Sequence, residues 1–198
     1  MIEPFPNYSY ATNTAYSALI AFHQFTFPIS MRSVLRKMSN VAVHSYSEMA
    51  RRFHMSFEEF YSTVSSEYGF SSRMIGTNNY ELLYNDRKDL TTIRFTLAHE
   101  LGHILLGHNV DEPKENKEAN CFARNFLCPI PAITEFKIDS IHDYTNTFYV
   151  SEPMAEIAIK LKKADYRNIT SYNYWNYYDN VSQWHYGISL RDMYGDYA

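Results

Sequence analysis

A regular pattern of apolar positions runs from Thr91 to His108. The apolar residues recur every three or four positions, at Ile93, Leu97, Leu101, Ile104 and Leu105. This spacing places them on one side of a helix, and no proline interrupts the stretch. It therefore predicts a buried amphipathic helix over residues 91–108. Asp89 or Thr91 is suited to cap its first turn.

Upstream of this helix, the pattern changes to the alternation that is typical of β-strands. Residues 41–46 alternate, and residues 68–76 and 80–84 form two further strand-like runs joined by a polar link, which favours a hairpin. A second helix is predicted over residues 114–127. Strands followed by paired helices predict an α+β fold with a small antiparallel sheet packed on helices.

The predicted helix carries the sequence His99-Glu100-Leu101-Gly102-His103, an H-E-x-x-H pattern. Residues four apart on a helix are separated by about 400° of rotation and about 6 Å of rise, so both imidazoles leave the same face. One zinc ion can bridge two such nitrogens and keep a position for water. His99 and His103 are therefore predicted zinc ligands, and Glu100 the catalytic base that takes a proton from that water.

A pattern of five residues is short, and two core histidines beside an unrelated glutamate would give the same letters. The apolar helical context around His99 and His103 favours the metal site. Gly102 adds to this argument, because a glycine inside a helix costs about 1 kcal/mol relative to alanine. A close approach of another backbone to the metal face would explain its presence.

Composition sets wider limits on the class of protein. The chain has 198 residues and a net charge of −4 with no long run of either sign, so it is expected to be one domain, or one domain with an extension, without a nucleic-acid surface. No apolar run is long enough to cross a membrane, and the first residues lack a signal-peptide pattern. Cys121 and Cys128 would lie about 10 Å apart along a helix, too far for a disulfide. These features predict a cytoplasmic protein with reduced thiols.

Two longer motifs carry a resemblance to a known family. Residues 94–108 and residues 118–129, the latter beginning Glu-Ala-Asn-Cys-Phe-Ala and ending in Pro, are similar to the two motifs of the ImmA/IrrE family of zinc metallopeptidases, in the same order. The hairpin that ends near residue 86 also fits. The resemblance covers residues 14–165 and implies a zincin-like metallopeptidase domain over residues 1–165. Residues 166–198, rich in Tyr and Trp, are expected to be an extension that packs on the same domain.

The resemblance also implies a function. Characterised members of the family are cytoplasmic and cleave a helix-turn-helix repressor that controls a mobile element or a stress response. It therefore implies one zinc ion per chain and a protein partner, a transcriptional repressor, as the substrate. The substrate-binding residues, the cleaved bond, the activating signal and the oligomeric state are left open.

One departure from the family affects the metal site. The family's third ligand is a Glu three residues before the Ala of the second motif, and here that position is Asn116. A neutral amide is a poor zinc ligand beside a carboxylate. Glu115, near the helix start where the register can adjust, is the preferred prediction for the third ligand. Alternatively, Asn116 or a water fills the position weakly, or the site has lost most of its metal. Glu118 is expected to be a solvated flanking residue, and His108 a helix-end histidine.

Other residues leave further alternatives open. Asn120 either orients a histidine or makes an ordinary polar contact. His142, Tyr144 and His185 are candidates for stabilising an oxyanion. The aromatic segment 172–186 is either packed on the core or exposed as a protein-binding surface. The alternative to an endopeptidase is a degenerate relative that binds a regulator protein without cutting it.

Overall fold

The computed structural model describes residues 5–109 and 112–187, and within these ranges the chain forms ten helices and a three-stranded sheet. This confirms the α+β class. The elements before the motif helices are α1 (Tyr8–Ala21), α2 (Met31–Arg36), β1 (Val41–Ser45), α3 (Tyr46–Arg52), α4 (Phe57–Thr63), β2 (Gly69–Arg73) and β3 (Tyr80–Tyr84). The remaining elements are α5 (Leu90–Leu106), α6 (Pro113–Leu127), α7 (Ile130–Glu135), α8 (Ile141–Phe148), α9 (Glu152–Asn168) and α10 (Ser171–Tyr186).

The sheet has the strand order β1-β3-β2, with β3 in the centre. Strands β2 and β3 pair antiparallel, as the predicted hairpin requires. Strand β1 pairs with β3 in parallel, so the sheet is mixed rather than wholly antiparallel. The reason is that α3 and α4 lie between β1 and the hairpin, and such a crossover allows two strands to run in the same direction. Strand β2 is therefore left at one edge of the sheet.

Helix α5 contains the H-E-x-x-H residues and has well-defined ends. Asp89 Oδ1 accepts a hydrogen bond of 2.9 Å from the Thr92 backbone N–H at the helix start. Gly107 ends the helix in the left-handed conformation, with φ of 73°. Such a position favours glycine, because a side chain there would be strained. The helix therefore stops two residues before the predicted end at residue 108, and His108 lies beyond it.

Helices α5 and α6 pack closely against each other at Gly102. A Cβ atom at this position would lie 3.0 Å from the Phe122 ring and 3.3 Å from the Ala119 Cα. The expected close approach of another backbone is thus confirmed, and α6 supplies it. Phe122 is fully buried at this contact, and Leu101 is fully buried in the same hydrophobic core. The close packing brings the polar side chains of α6 next to the histidines of α5.

The C-terminal helices pack on the same core. The predicted boundary at residue 165 falls inside α9, and α10 is a regular helix. Tyr177 of α10 is fully buried, and its hydroxyl group donates a hydrogen bond of 2.7 Å to the Gln24 carbonyl oxygen. Trp175 and Trp184 are 54% and 66% exposed, so one face of α10 packs on the core and another is open to solvent. Residues 188–198 lie outside the described ranges. None of the described helices has the length and apolar character that crossing a membrane requires.

Candidate metal centre and its cavity

The imidazoles of His99 and His103 face each other on α5. Their Nε2 atoms lie 3.0 Å apart, as the four-residue spacing predicts for side chains on one helix face. Asn120 of α6 lies beside His99, with its Oδ1 atom 2.9 Å from His99 Nδ1. Of the two alternatives for Asn120, the structure shows the contact with a histidine. This contact fits an Nδ1–H group that donates to the amide oxygen and turns Nε2 toward His103.

Glu100 lies on the same helix, and its side chain is largely buried at 7% exposure. Ser71 of the edge strand β2 donates a hydrogen bond of 2.8 Å from its hydroxyl group to Glu100 Oε2. The sequence contained no signal for Ser71, because the contact joins residues that lie 29 positions apart. The predicted base therefore contacts the edge strand of the sheet and lies on the same helix as the predicted metal ligands.

The first turns of α6 present Asn116, rather than Glu115, to the cavity above the histidines. Asn116 and Asn120 both line this cavity, and Glu115 does not. The Glu115 Oε1 atom lies 3.6 Å from Lys114 Nζ, and its Oε2 atom is buried without a hydrogen-bond partner within the described residues. The assignment of Glu115 as the third ligand therefore stays a prediction. Of the two residues, Asn116 is the one that lines the cavity.

Glu118 is 4% exposed, so the expectation of a solvated flanking residue was wrong. Its Oε2 atom lies 3.0 Å from His108 Nε2, and its Oε1 atom accepts a hydrogen bond of 2.6 Å from the Asn7 backbone N–H. His108 Nδ1 in turn lies 3.0 Å from His103 Nδ1. His108 therefore contacts the Nδ1 side of the His103 ring, and Glu118 contacts the far side of His108.

The donor set can be compared with what a zinc ion requires. Within residues 5–109 and 112–187, no group of three or more His, Cys, Asp or Glu side chains is arranged to hold a metal ion. The two convergent Nε2 atoms of His99 and His103 nevertheless match the nitrogen ligands that zinc prefers. The residues present therefore fit an ion held by two imidazoles. At the sequence position where a carboxylate ligand was expected, this chain has the Asn116 amide.

A cavity of about 1230 Å³ lies over these side chains. His99, Glu100 and His103 line it, together with residues 69–73 of β2. One face of α9 also lines it, and its cavity-lining residues are mostly apolar: Pro153, Met154, Ile157, Leu161 and Ala164. This volume exceeds that of a typical small-molecule pocket, about 300–1,000 Å³. The space suits an extended polypeptide segment.

The three candidates for oxyanion stabilisation lie elsewhere. His142 contacts Asn146 on α8, Tyr144 is fully buried in the core, and the ring of His185 stacks on Phe27. None of these three residues lines the cavity. Their distance from the histidines of α5 could not be judged from the sequence, because it depends on how α8 and α10 pack.

The family model for the IrrE N-terminal-like domain, Peptidase_M78, matches residues 56–161. The chain belongs to this family. The match includes the hairpin, α5, α6 and most of α9, and these elements supply most of the residues that line the cavity. Membership in a peptidase family supports an activity on proteins. No curated protein and no solved structure matches the chain.

Proposed function

We propose that this chain is a zinc-dependent endopeptidase that acts on a helix-turn-helix repressor or a similar regulator protein. The observation that carries the proposal is the convergence of His99 and His103 beside the buried Glu100, in a chain of a peptidase family. The identity of the substrate rests on the resemblance to the ImmA/IrrE family and on the cytoplasmic location that it implies.

The residues around the cavity divide the chemistry of peptide hydrolysis between them. His99 and His103 would hold the ion, with the third position taken from the first turns of α6 by Glu115 or Asn116. A bound zinc ion supplies Lewis-acid chemistry, which polarises a peptide carbonyl group and acidifies a water molecule. Glu100 takes the proton from the attacking water and delivers it to the nitrogen of the leaving amine.

The edge of β2 supports an extended substrate. Among the residues that the structure describes, no strand pairs with its outer side, and residues 69–73 line the cavity. A peptide that adds to this edge by backbone hydrogen bonds would pass over the H-E-x-x-H residues. Its side chains would alternate between the two faces of the sheet and meet the apolar face of α9. Ile157, which is 50% exposed, lies on that face.

The substitution Glu100→Gln tests the proposal, because it keeps the size of the side chain and removes the base. Cleavage of purified helix-turn-helix repressors and of a proteome-derived peptide library is followed by mass spectrometry, and zinc content by elemental analysis. We expect Glu100→Gln to retain zinc and to lose cleavage by a factor of at least about 100. Glu156→Gln, the same change at an exposed site of α9, serves as the control. Equal cleavage by wild type and Glu100→Gln would reject Glu100 as the base.

A second candidate function is a non-cleaving, regulator-binding protein. The observation that favours it is Asn116, which lines the cavity where the family has a carboxylate ligand. Zinc content of the purified chain, compared with that of His99→Ala, separates the two functions. Near-stoichiometric zinc that is lost in His99→Ala supports the peptidase, whereas a wild-type chain without zinc supports the binding protein.

A further inference from the structure

Arg124 of α6 and Asp165 of α9 form a buried ion pair that the chemistry of hydrolysis does not use. Asp165 Oδ2 accepts a hydrogen bond of 2.6 Å from Arg124 Nε, and its Oδ1 atom accepts one of 2.8 Å from Arg124 Nη2. The two residues are 9% and 3% exposed, and both line the cavity. A well-ordered charged pair is therefore present in the wall of the space that a substrate would enter.

The ion pair leaves part of the guanidinium group unused. An arginine side chain has five N–H donors in one plane, and Asp165 accepts from two of them. The Nη1 group of Arg124 makes no hydrogen bond to any residue that the structure describes, and it is accessible to solvent. Because Arg124 lines the cavity, these remaining N–H groups are available to an acceptor inside it.

Helix geometry places Arg124 close to the histidines of α5. Asn120, whose Oδ1 atom lies 2.9 Å from His99 Nδ1, precedes Arg124 by four residues on α6. Four residues advance a helix by about 6 Å, and an extended peptide covers a similar length with two residues. An acceptor that binds Arg124 would therefore belong to a substrate residue about two positions from the bond at His99 and His103.

The charges around the cavity favour an acidic acceptor. With histidines counted as neutral, the positive residues Arg73, Lys117 and Arg124 line the cavity, and the negative ones are Glu100 and Asp165. The cavity thus has an excess of positive charge, although the whole chain has a net charge of −4. Such complementarity selects among charged partners. A guanidinium group also binds the two oxygens of a carboxylate at once, which a single backbone carbonyl oxygen does not allow.

We propose that Arg124 is a specificity-determining residue that binds an acidic side chain of the substrate, while Asp165 holds its guanidinium group in position. The inference rests on the proposed function and deepens it. It names the class of peptide that the cavity selects, one with Asp or Glu about two residues from the cleaved bond. Because Asp165 already fixes the Arg124 side chain, little side-chain freedom remains to be lost when the substrate binds.

The preference can be measured by cleavage of a proteome-derived peptide library by the zinc-supplied chain, with the residues on both sides of each cleaved bond read by mass spectrometry. We expect Asp and Glu to be enriched at one position within about three residues of the bond. A peptide with Asp at that position should be cleaved at least about tenfold faster, in kcat/KM, than its Asn analogue. Cleavage without any acidic preference in this range would overturn the proposal.

Neutralising the ion pair tests whether Arg124 causes the preference. The double variant Arg124→Gln/Asp165→Asn removes both buried charges together, so neither is left unpaired. The ratio of kcat/KM for the Asp and Asn peptides should then approach one. The matched control, Arg87→Gln/Glu58→Gln, neutralises an exposed ion pair that does not line the cavity, and it should keep the wild-type ratio. An unchanged ratio in a double variant that circular dichroism shows to be folded would reject Arg124 as the cause.

A binding measurement on the wild-type chain needs neither cleavage nor a variant that folds. The Nε–H signal of Arg124 is followed by ¹⁵N NMR without zinc, while acetyl-Ala-Asp-Ala-amide is added to millimolar concentration, with acetyl-Ala-Asn-Ala-amide as the control peptide. We expect the Asp peptide to shift this signal and the Asn peptide to leave it unchanged. Equal responses to the two peptides would contradict the inference. A selective shift in a chain that cuts no peptide would support the acidic subsite and reject only the proposed peptidase activity.

Discussion

The hydroxyl group of Ser71 donates a hydrogen bond of 2.8 Å to Glu100 Oε2 and so joins the edge strand β2 to the candidate base on α5. A substrate paired along β2 would lie directly beside the carboxylate that has to move its protons. The position of Glu100 therefore depends on the sheet as well as on its own helix. Ser71 is half-buried, whereas its neighbour Ser72 is exposed, which provides a matched pair for experiment.

Replacing Ser71 by Ala should lower kcat without changing zinc affinity. A hydrogen bond to a charged group contributes about 1.5–3 kcal/mol, and its loss leaves the Glu100 carboxylate less well oriented. We expect kcat to fall about tenfold, measured by initial rates on a cleaved peptide. Ser72→Ala, which changes the next residue of the same strand, should retain wild-type kcat. Equal effects of the two substitutions would point to strand stability as the cause.

Replacing Asn116 by Glu should strengthen zinc binding. Asn116 lines the cavity at the position of the family's carboxylate ligand, and a carboxylate binds zinc better than an amide does. We expect the dissociation constant for zinc to fall at least about tenfold, measured by chelator competition. Asn116→Gln, which has the size of Glu but no charge, should show no gain. Loss of zinc in Glu115→Ala, with no gain in Asn116→Glu, would instead identify Glu115 as the ligand.

Replacing Gly102 by Ala should destabilise the fold, although alanine is the better helix former. The new methyl group would lie 3.0 Å from the Phe122 ring and 3.3 Å from the Ala119 Cα, so the fully buried Phe122 or the α6 backbone has to shift by a few tenths of an ångström. Overpacking costs about 1–3 kcal/mol, of which helix propensity returns about 1 kcal/mol. Urea unfolding should show a net loss of about 1 kcal/mol, and Phe122→Leu should reduce the penalty. A stabilised Gly102→Ala variant would mean that the helices can separate without cost.

Replacing Asp165 by Ala should destabilise the chain strongly. Asp165 accepts two hydrogen bonds from the Arg124 guanidinium group, at 2.6 and 2.8 Å, and both residues are buried. Removing one partner of a buried ion pair costs about 3–5 kcal/mol, because the other charge remains desolvated. Urea unfolding measures the loss, with Asp139→Ala at an exposed site as the control. A loss similar to that of the control would show that water reaches Arg124 from the cavity, which both residues line.

The helical period explains why parts of the site could be predicted. Spacing along α5 determines which of its side chains share a face, so the convergence of His99 and His103 follows from their positions. The same reasoning failed for Glu118. On α6 considered alone, the Glu118 side chain points about 200° around the helix axis from Asn116. This direction suggested that Glu118 would be exposed to solvent. In the folded chain, Asn7 and His108 cover that side of α6. Asn7 is distant from α6 in sequence, and His108 lies just beyond the end of α5.

The sequence by itself determined the class of fold, the motif helix and the convergence of His99 and His103 on one face of it, because these depend on local periodicity and spacing. Only the tertiary structure decided that Ser71 contacts Glu100, that Asn116 rather than Glu115 faces the cavity, and that His108 and Glu118 lie behind His103. Each of these contacts joins separate elements. Their geometry is set by the close packing of α5 and α6 at Gly102 and by the edge position of β2, which no local pattern encodes.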